Sequence, residues 1–153
     1  MINRPFALQK LMRFKDKQLI KVVTGIRRSG KSTLLELFRQ QLLAQGVNPA
    51  AIQSYNFEDL SLEPLTDYHR LYDTIVSRLQ NDGMNYVFID EIQNVENFEE
   101  VINAYREEDE YSIFITGSNS YLLSGELITK LTGRYIEFEM FPLTFEESIS
   151  RDI

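Results

Sequence analysis

The chain has 153 residues, of which 43% are hydrophobic and 25% charged, and a formal net charge of −7. This is the profile of one ordinary soluble globular domain, long enough for a sizeable core. The acid excess argues against a protein that coats nucleic acid, and the lack of cysteine excludes disulfides, thiolate zinc sites and cysteine nucleophiles.

In chain order, residues 5–14 read as a short helix, with Pro5 suited to its first position and Phe6, Leu8, Leu11 and Met12 apolar. A strand follows over 19–24, ending an apolar run. A helix over 31–45 stops at Gly46, with Pro49 beyond. Next come a strand over 51–57, a helix over 67–81 and a turn at Asn81-Asp82-Gly83. A strand over 86–90, a helix over 97–108, a strand over 112–116, a helix over 119–131 and a last strand from Tyr135 to Phe141 complete the series. Thr144-Phe145-Glu146-Glu147 has the form of a capping box opening one more helix. The reading is that this is an N-terminal domain of a longer protein.

Strands alternating with helices predict an α/β fold on a parallel sheet. The strands at 19–24, 86–90 and 112–116 are almost continuously apolar and should be buried on both faces. Those at 51–57 and 135–140 are mixed or alternating, which places the second and fifth strands at the sheet edges. This reasoning leaves the order of the central three open.

The first strand runs into Gly25-Ile26-Arg27-Arg28-Ser29-Gly30-Lys31-Ser32, the pattern G-x-x-x-x-G-K-S, and Thr33 continues into the next helix. Strand, glycine loop and helix form the context of a phosphate-binding loop. Its backbone N–H groups turn toward one anion, and the helix start adds its unpaired N–H groups and positive dipole end. Lys31 is expected to reach the β- and γ-phosphates, and Ser32 to ligate Mg²⁺.

Val87-Phe88-Ile89-Asp90-Glu91 delivers two carboxylates to a strand tip. Asp90 is the candidate second metal ligand, and Glu91 the candidate base that polarises a water for attack on the γ-phosphate. Thr116-Gly117-Ser118-Asn119-Ser120 ends the next apolar strand, and its tip should lie beside that of Asp90. Ser118 or Asn119 is the candidate that touches the water or the γ-phosphate, with helix capping as the bland reading. Arg134, after Leu131-Thr132-Gly133, is either an arginine finger toward a neighbouring subunit or a surface arginine at a turn. Gln93 is either a support for Glu91 or a polar loop residue, and Glu58-Asp59 is either a contact to the water or nucleotide or, as the preferred reading, a solvated loop. The single His69 reads as part of a solvated helix face, because one histidine alone makes no metal site. No apolar run approaches the ~20 residues of a membrane span, and no signal peptide is visible at Met1-Ile2-Asn3-Arg4-Pro5. The expected location is the cytoplasm.

With Lys31, Asp90-Glu91, Ser118-Asn119 and Arg134 assembled, the chain resembles the AAA+-type P-loop ATPases, and more narrowly the AAA_14 family. The resemblance is carried by residues 23–32, by Phe88-Ile89-Asp90-Glu91-Ile92-Gln93, by Ile115-Thr116-Gly117-Ser118-Asn119-Ser120, and by Thr132-Gly133-Arg134 leading to Pro142-Leu143-Thr144-Phe145-Glu146-Glu147. It implies a three-layer P-loop NTPase sandwich with five parallel strands in the order 5-1-4-3-2. It implies ATP and Mg²⁺ as ligands. It also implies a helical lid and a C-terminal domain of nuclease-like fold (DUF4143), neither within these 153 residues. The N-terminal segment, including Arg4, Pro5 and Phe6, would lie near the adenine. A homo-oligomer through Arg134 would follow if that residue is a finger.

The leading expectation is therefore an ATPase that couples turnover to conformational change. Glu91 favours it, since a pure binder has no need of a second carboxylate there. The alternative is a nucleotide-binding regulatory switch with little or no hydrolysis. A GTPase ranks low, as no Asn-Lys-x-Asp motif is present. So does a small-molecule kinase, because Asp90-Glu91 beside a polar strand tip favours water as the nucleophile.

Overall fold

The structure, a computed structural model, describes residues 4–17, 19–25, 31–81, 83–106, 110–117 and 135–140. Within them α1 spans Arg4–Phe14, β1 Ile20–Gly25, α2 Lys31–Ala44, β2 Ile52–Asn56 and α3 Tyr68–Ser77. β3 spans Asn85–Asp90, α4 Phe98–Arg106, β4 Tyr111–Gly117 and β5 Tyr135–Met140. Single 3₁₀ turns cover Pro49–Ala51 and Ile92–Asn94, and a longer 3₁₀ stretch covers Leu60–Thr66. The helix expected over 119–131 and the capping box at Thr144 lie outside the described residues.

All neighbouring strands pair in parallel, in the order β2-β3-β4-β1-β5. Read from the other edge this is 5-1-4-3-2. The mixed strands β2 and β5 are outermost, and every residue of β3 and β4 is buried. β2 alternates instead, with Tyr55 buried and Ser54 and Asn56 exposed.

Successive strand residues point to opposite faces, so each face collects its own core. On one face Leu34, Phe38 and Leu42 of α2, with Leu11 of α1, pack on Val23, Tyr86, Phe88 and Phe114. Three rings interlock there: Phe38 lies 4.8 Å from Phe114 and 5.8 Å from Phe88, and Phe88 stacks on Phe114 at 5.0 Å. On the other face Leu71 and Ile75 of α3, with Phe98, Val101 and Ile102 of α4, cover Val22, Val87, Ile89, Ile113 and Ile115. Helices on both faces of one sheet make three layers.

Local signals explain the helix ends. α2 closes on Gly46 at φ 92, where Gly46 N–H donates to the Leu43 carbonyl and Val47 N–H to the Leu42 carbonyl, both at 3.1 Å. These two bonds define a Schellman cap, and its left-handed residue favours glycine. Asp67 caps α3 by accepting from His69 N–H at 2.9 Å. α3 stops at Ser77 rather than at 81 because the chain is captured beyond it. Asn85 accepts from Gln80 N–H at 3.0 Å and donates to the Gln80 carbonyl at 2.8 Å. α4 begins at Phe98, since Asn97 has the left-handed φ of 57.

At the opposite edge from the strand C-termini, β1 buries a lysine completely. Lys21 Nζ donates to the Lys17 carbonyl at 2.6 Å, the Lys15 carbonyl at 3.4 Å and Ser112 Oγ at 3.1 Å. It also sits 5.2 Å from the centre of the Phe114 ring. Burial pushes its pKa down to about 8, against the pull of Asp16. The lysine thereby ties the turn between α1 and β1 to β4.

Candidate functional site

A parallel sheet gathers all its strand C-termini at one edge, where open α/β sheets bind ligands. The register pairs Thr24 with Gly117, Ile89 with Ile115, and Asn56 with Asp90. Gly25, Gly117, Asp90 and Asn56 therefore stand in a row at the tips of β1, β4, β3 and β2. β4 separates β1 from β3, so Gly25 and Asp90 are two strand spacings apart, about 10 Å. α2 starts at Lys31, six residues after Gly25, and brings its unpaired N-terminal N–H groups to the same edge.

The structure thus brings together the tip of β1, the start of α2 and the carboxylates of β3. Lys31, Ser32 and Thr33 form the first turn of α2, with Thr33 exposed. The β4 tip lies beside Asp90 as expected. Ile26, Arg27, Arg28, Ser29 and Gly30 lie outside the described residues, as do Ser118, Asn119 and Arg134. Glu58 and Asp59 are exposed, and Asp59 caps the 3₁₀ stretch after β2 by accepting from Ser61 N–H at 2.9 Å. That backbone bond holds the Asp59 carboxyl below its usual range. His69 is exposed, its ring 4.1 Å from that of Tyr68, in keeping with a solvated face.

The β3 tip is tightly bonded. The buried Thr116 hydroxyl donates to Asp90 Oδ1 and accepts from Glu91 N–H at 3.0 Å. Glu91 has the left-handed backbone values φ 58 and ψ 52, a conformation costing a non-glycine residue about 1 kcal/mol or more. Its carboxylate is gripped as well: Gln93 Nε2 donates to Glu91 Oε2 at 2.6 Å. Asn94 then donates to the Phe57 carbonyl at 3.0 Å, tying the turn to the end of β2.

Beside Asp90 a cleft of about 370 Å³ opens between α2 and the tips of β2 and β3, lined in part by Leu35, Arg39, Asn56, Asp59 and Phe88. Arg39 forks onto Glu36 at its rim, at 2.9 and 2.6 Å. That contact lowers the Glu36 pKa and raises that of Arg39.

Among the described residues no group of three His, Asp or Glu side chains could enclose a metal ion. A carboxylate at a strand tip and a hydroxyl residue in the first turn of a helix make a different donor set. Mg²⁺ takes one or two protein oxygens and completes its shell with phosphate oxygens and water. Asp90 and Ser32 fit that pattern by residue type and by the elements that carry them.

Sequence reasoning missed Thr116. A hydroxyl residue near the end of an apolar strand was the available signal, but its partners depend on the β3–β4 register. Gln93 was left undecided, and the structure places its amide on Glu91.

The parallel five-stranded sheet in this order, with helices on both faces and the glycine loop joining β1 to α2, is the fold of the AAA+-type P-loop ATPases. Saccharomyces cerevisiae Hsp104, solved in complex with casein, superposes with a TM-score of 0.68 at 14% identity, covering 97% of this chain and 28% of that one. A family model described as an AAA domain, AAA_14, matches residues 17–149, and the chain belongs to that family. An uncharacterized protein of Haemophilus influenzae is 43% identical over 148 residues, or 96% of this chain and 37% of that protein. An uncharacterized protein of Methanocaldococcus jannaschii is 35% identical over 128 residues, or 84% and 27%. The chain thus spans about a third of the length of these relatives. Family and fold together support a nucleotide-binding, ATPase-type function. Among the described residues no helix is long and apolar enough to cross a membrane.

Proposed function

We propose that this chain binds ATP with Mg²⁺ at the C-terminal edge of its sheet and hydrolyses it, coupling turnover to conformational change. The observation that carries the reading is the pair Asp90 and Glu91 at the tip of β3, one strand removed from the glycine loop. Gly25, Ile26, Arg27, Arg28, Ser29, Gly30 and Thr33 cradle the phosphates together with Lys31, whose ammonium offsets charge on the β- and γ-phosphates. Ser32 and Asp90 would hold Mg²⁺, which when bound would offset charge on the phosphates. Glu91 takes the proton from the attacking water as its oxygen bonds to the γ-phosphorus. The bond from that phosphorus to the bridging oxygen breaks, and ADP and phosphate leave. Ser118 and Asn119 orient the water or the γ-phosphate, and Arg134 reaches the site of a neighbouring copy.

The greater length of the relatives supports a domain within a longer protein, and the lid and nuclease-like domain that the family resemblance implies are part of this proposal. The cytoplasm is the proposed location.

The test is calorimetric titration of Mg²⁺-ATP followed by turnover. Lys31→Ala should abolish binding. Glu91→Gln should bind normally and lose about 10²-fold or more in kcat. Turnover unaffected by Glu91→Gln would sink the enzyme reading and leave a nucleotide-binding switch.

A further inference from the structure

Two side chains spaced two residues apart normally point away from each other on a helical turn. Glu91 and Gln93 meet, because the left-handed step at Glu91 turns its carboxylate onto the Gln93 amide at 2.6 Å. The contact leaves the far end of the same amide poorly placed. Gln93 Oε1 is buried with no hydrogen-bond partner among the described residues. A glutamine serving only as a loop residue would turn that oxygen to water, since a buried acceptor without a donor is costly. Gln93 instead stays half-buried and keeps its donor on the carboxylate. The backbone of Glu91 is held independently, by its N–H on Thr116 Oγ1. Glu91 is thus fixed at both ends, once through β4 and once through the turn that follows β3.

We infer that Gln93 is a positioning residue for Glu91. It removes the rotational freedom of the glutamate side chain and keeps its carboxylate aimed for the proton of the attacking water. The inference rests on the ATPase reading above and adds a residue to it. The amide donates to the Glu91 carboxylate, so its effect runs through Glu91.

Two experiments on the 153-residue chain test this. In the first, turnover is measured for wild type, Gln93→Ala, Gln93→Leu, Glu91→Gln and the double variant Glu91→Gln/Gln93→Ala. Both Gln93 variants should lose roughly 10-fold in kcat with KM and ATP affinity unchanged, less than the ~10²-fold that a misplacement of about 1 Å can cost. In the Glu91→Gln background the second change should do nothing more. Unchanged or raised kcat in Gln93→Ala overturns the inference, the raised value because it would mean that the amide holds the carboxylate out of action. A further loss in the double variant also overturns it, by showing a role that bypasses Glu91.

The second experiment needs no turnover. With ¹⁵N-labelled glutamine, assigned through Gln93→Ala, the Gln93 side-chain amide proton should resonate downfield of the exposed glutamines. It should return to their position in Glu91→Asn, a substitution compatible with the left-handed backbone. A Gln93 signal that ignores this change overturns the hold. Wild type without turnover but with the shifted amide would refute the ATPase reading and keep the contact. Active wild type with an indifferent Gln93→Ala would keep the ATPase reading and overturn the positioning role.

Discussion

Thr116 and Asp90 are bonded across the β3–β4 pair, the hydroxyl donating to Oδ1 while its oxygen accepts the N–H of Glu91. One buried side chain thus fixes both acidic residues of the β3 tip. Thr116→Val preserves shape and removes both bonds. We expect it to cost about 1–3 kcal/mol, the penalty for stranding buried polar groups. Thr116→Ser should keep most of the stability. Urea unfolding of the two variants checks this, and equal midpoints would refute the bridging role.

Phe38 is the keystone of the ring cluster formed with Phe88 and Phe114. Its side chain is fully buried under α2. Phe38→Ala should therefore destabilise the fold by about 3–5 kcal/mol, and Phe38→Leu by less. A thermal melt in which Phe38→Ala matches wild type would show that α2 does not depend on this contact.

Much of this architecture was legible in the chain because its signals are local. Gly25 through Ser32 needs only a strand before and a helix after, and Val87 through Asp90 needs only a run of apolar residues. Edge strands could be told from central ones by the polar residues in Gln53-Ser54 and Glu137. Contacts that depend on register were not legible. Thr116 meets Asp90 only because β3 and β4 pair as they do, and Gln93 meets Glu91 only through a left-handed backbone that no glycine announces. Lys21, in a strand the sequence marks as almost continuously apolar, is buried with its charge satisfied by carbonyls of the preceding turn, a partner set that no local pattern announces.

That lysine gives a pH signature. Its folded pKa of about 8 lies below the ordinary lysine value, so the unfolded chain holds the extra proton between about pH 8 and 10.5. Stability contributed by this site should therefore rise with pH across that window, by no more than ~3 kcal/mol. Lys15 and Tyr86, whose folded values are raised, oppose it only near and above their own ordinary range of 10 and over. Asp16 titrates far below it. Denaturation of wild type and Lys21→Met at pH 7.5, 8.5 and 9.5 should show the wild type gaining on the variant. Parallel curves would mean that Lys21 stays charged when folded.

Gly46 tests the cap of α2. A Cβ added there meets nothing within 4 Å, so only the backbone angle opposes substitution. Gly46→Ala should cost about 1–2 kcal/mol, and Gly46→Asn less, because asparagine tolerates the left-handed region. A Gly46→Ala protein as stable as wild type would show that the cap relaxes.

The sheet order also sets when the proposed site can exist during synthesis. β1 pairs with β4 and β5, not with the strands that leave the ribosome next. β2 and β3 find each other early, but β1 waits roughly 90 residues for β4 to emerge, on the order of 5–20 seconds of elongation. Until then the glycine loop hangs from an unpaired strand, and the Thr116 hydroxyl that orders the β3 tip has not been made. A nascent chain stalled before Tyr111 would carry the phosphate-loop sequence and both acidic residues without a place to hold a nucleotide.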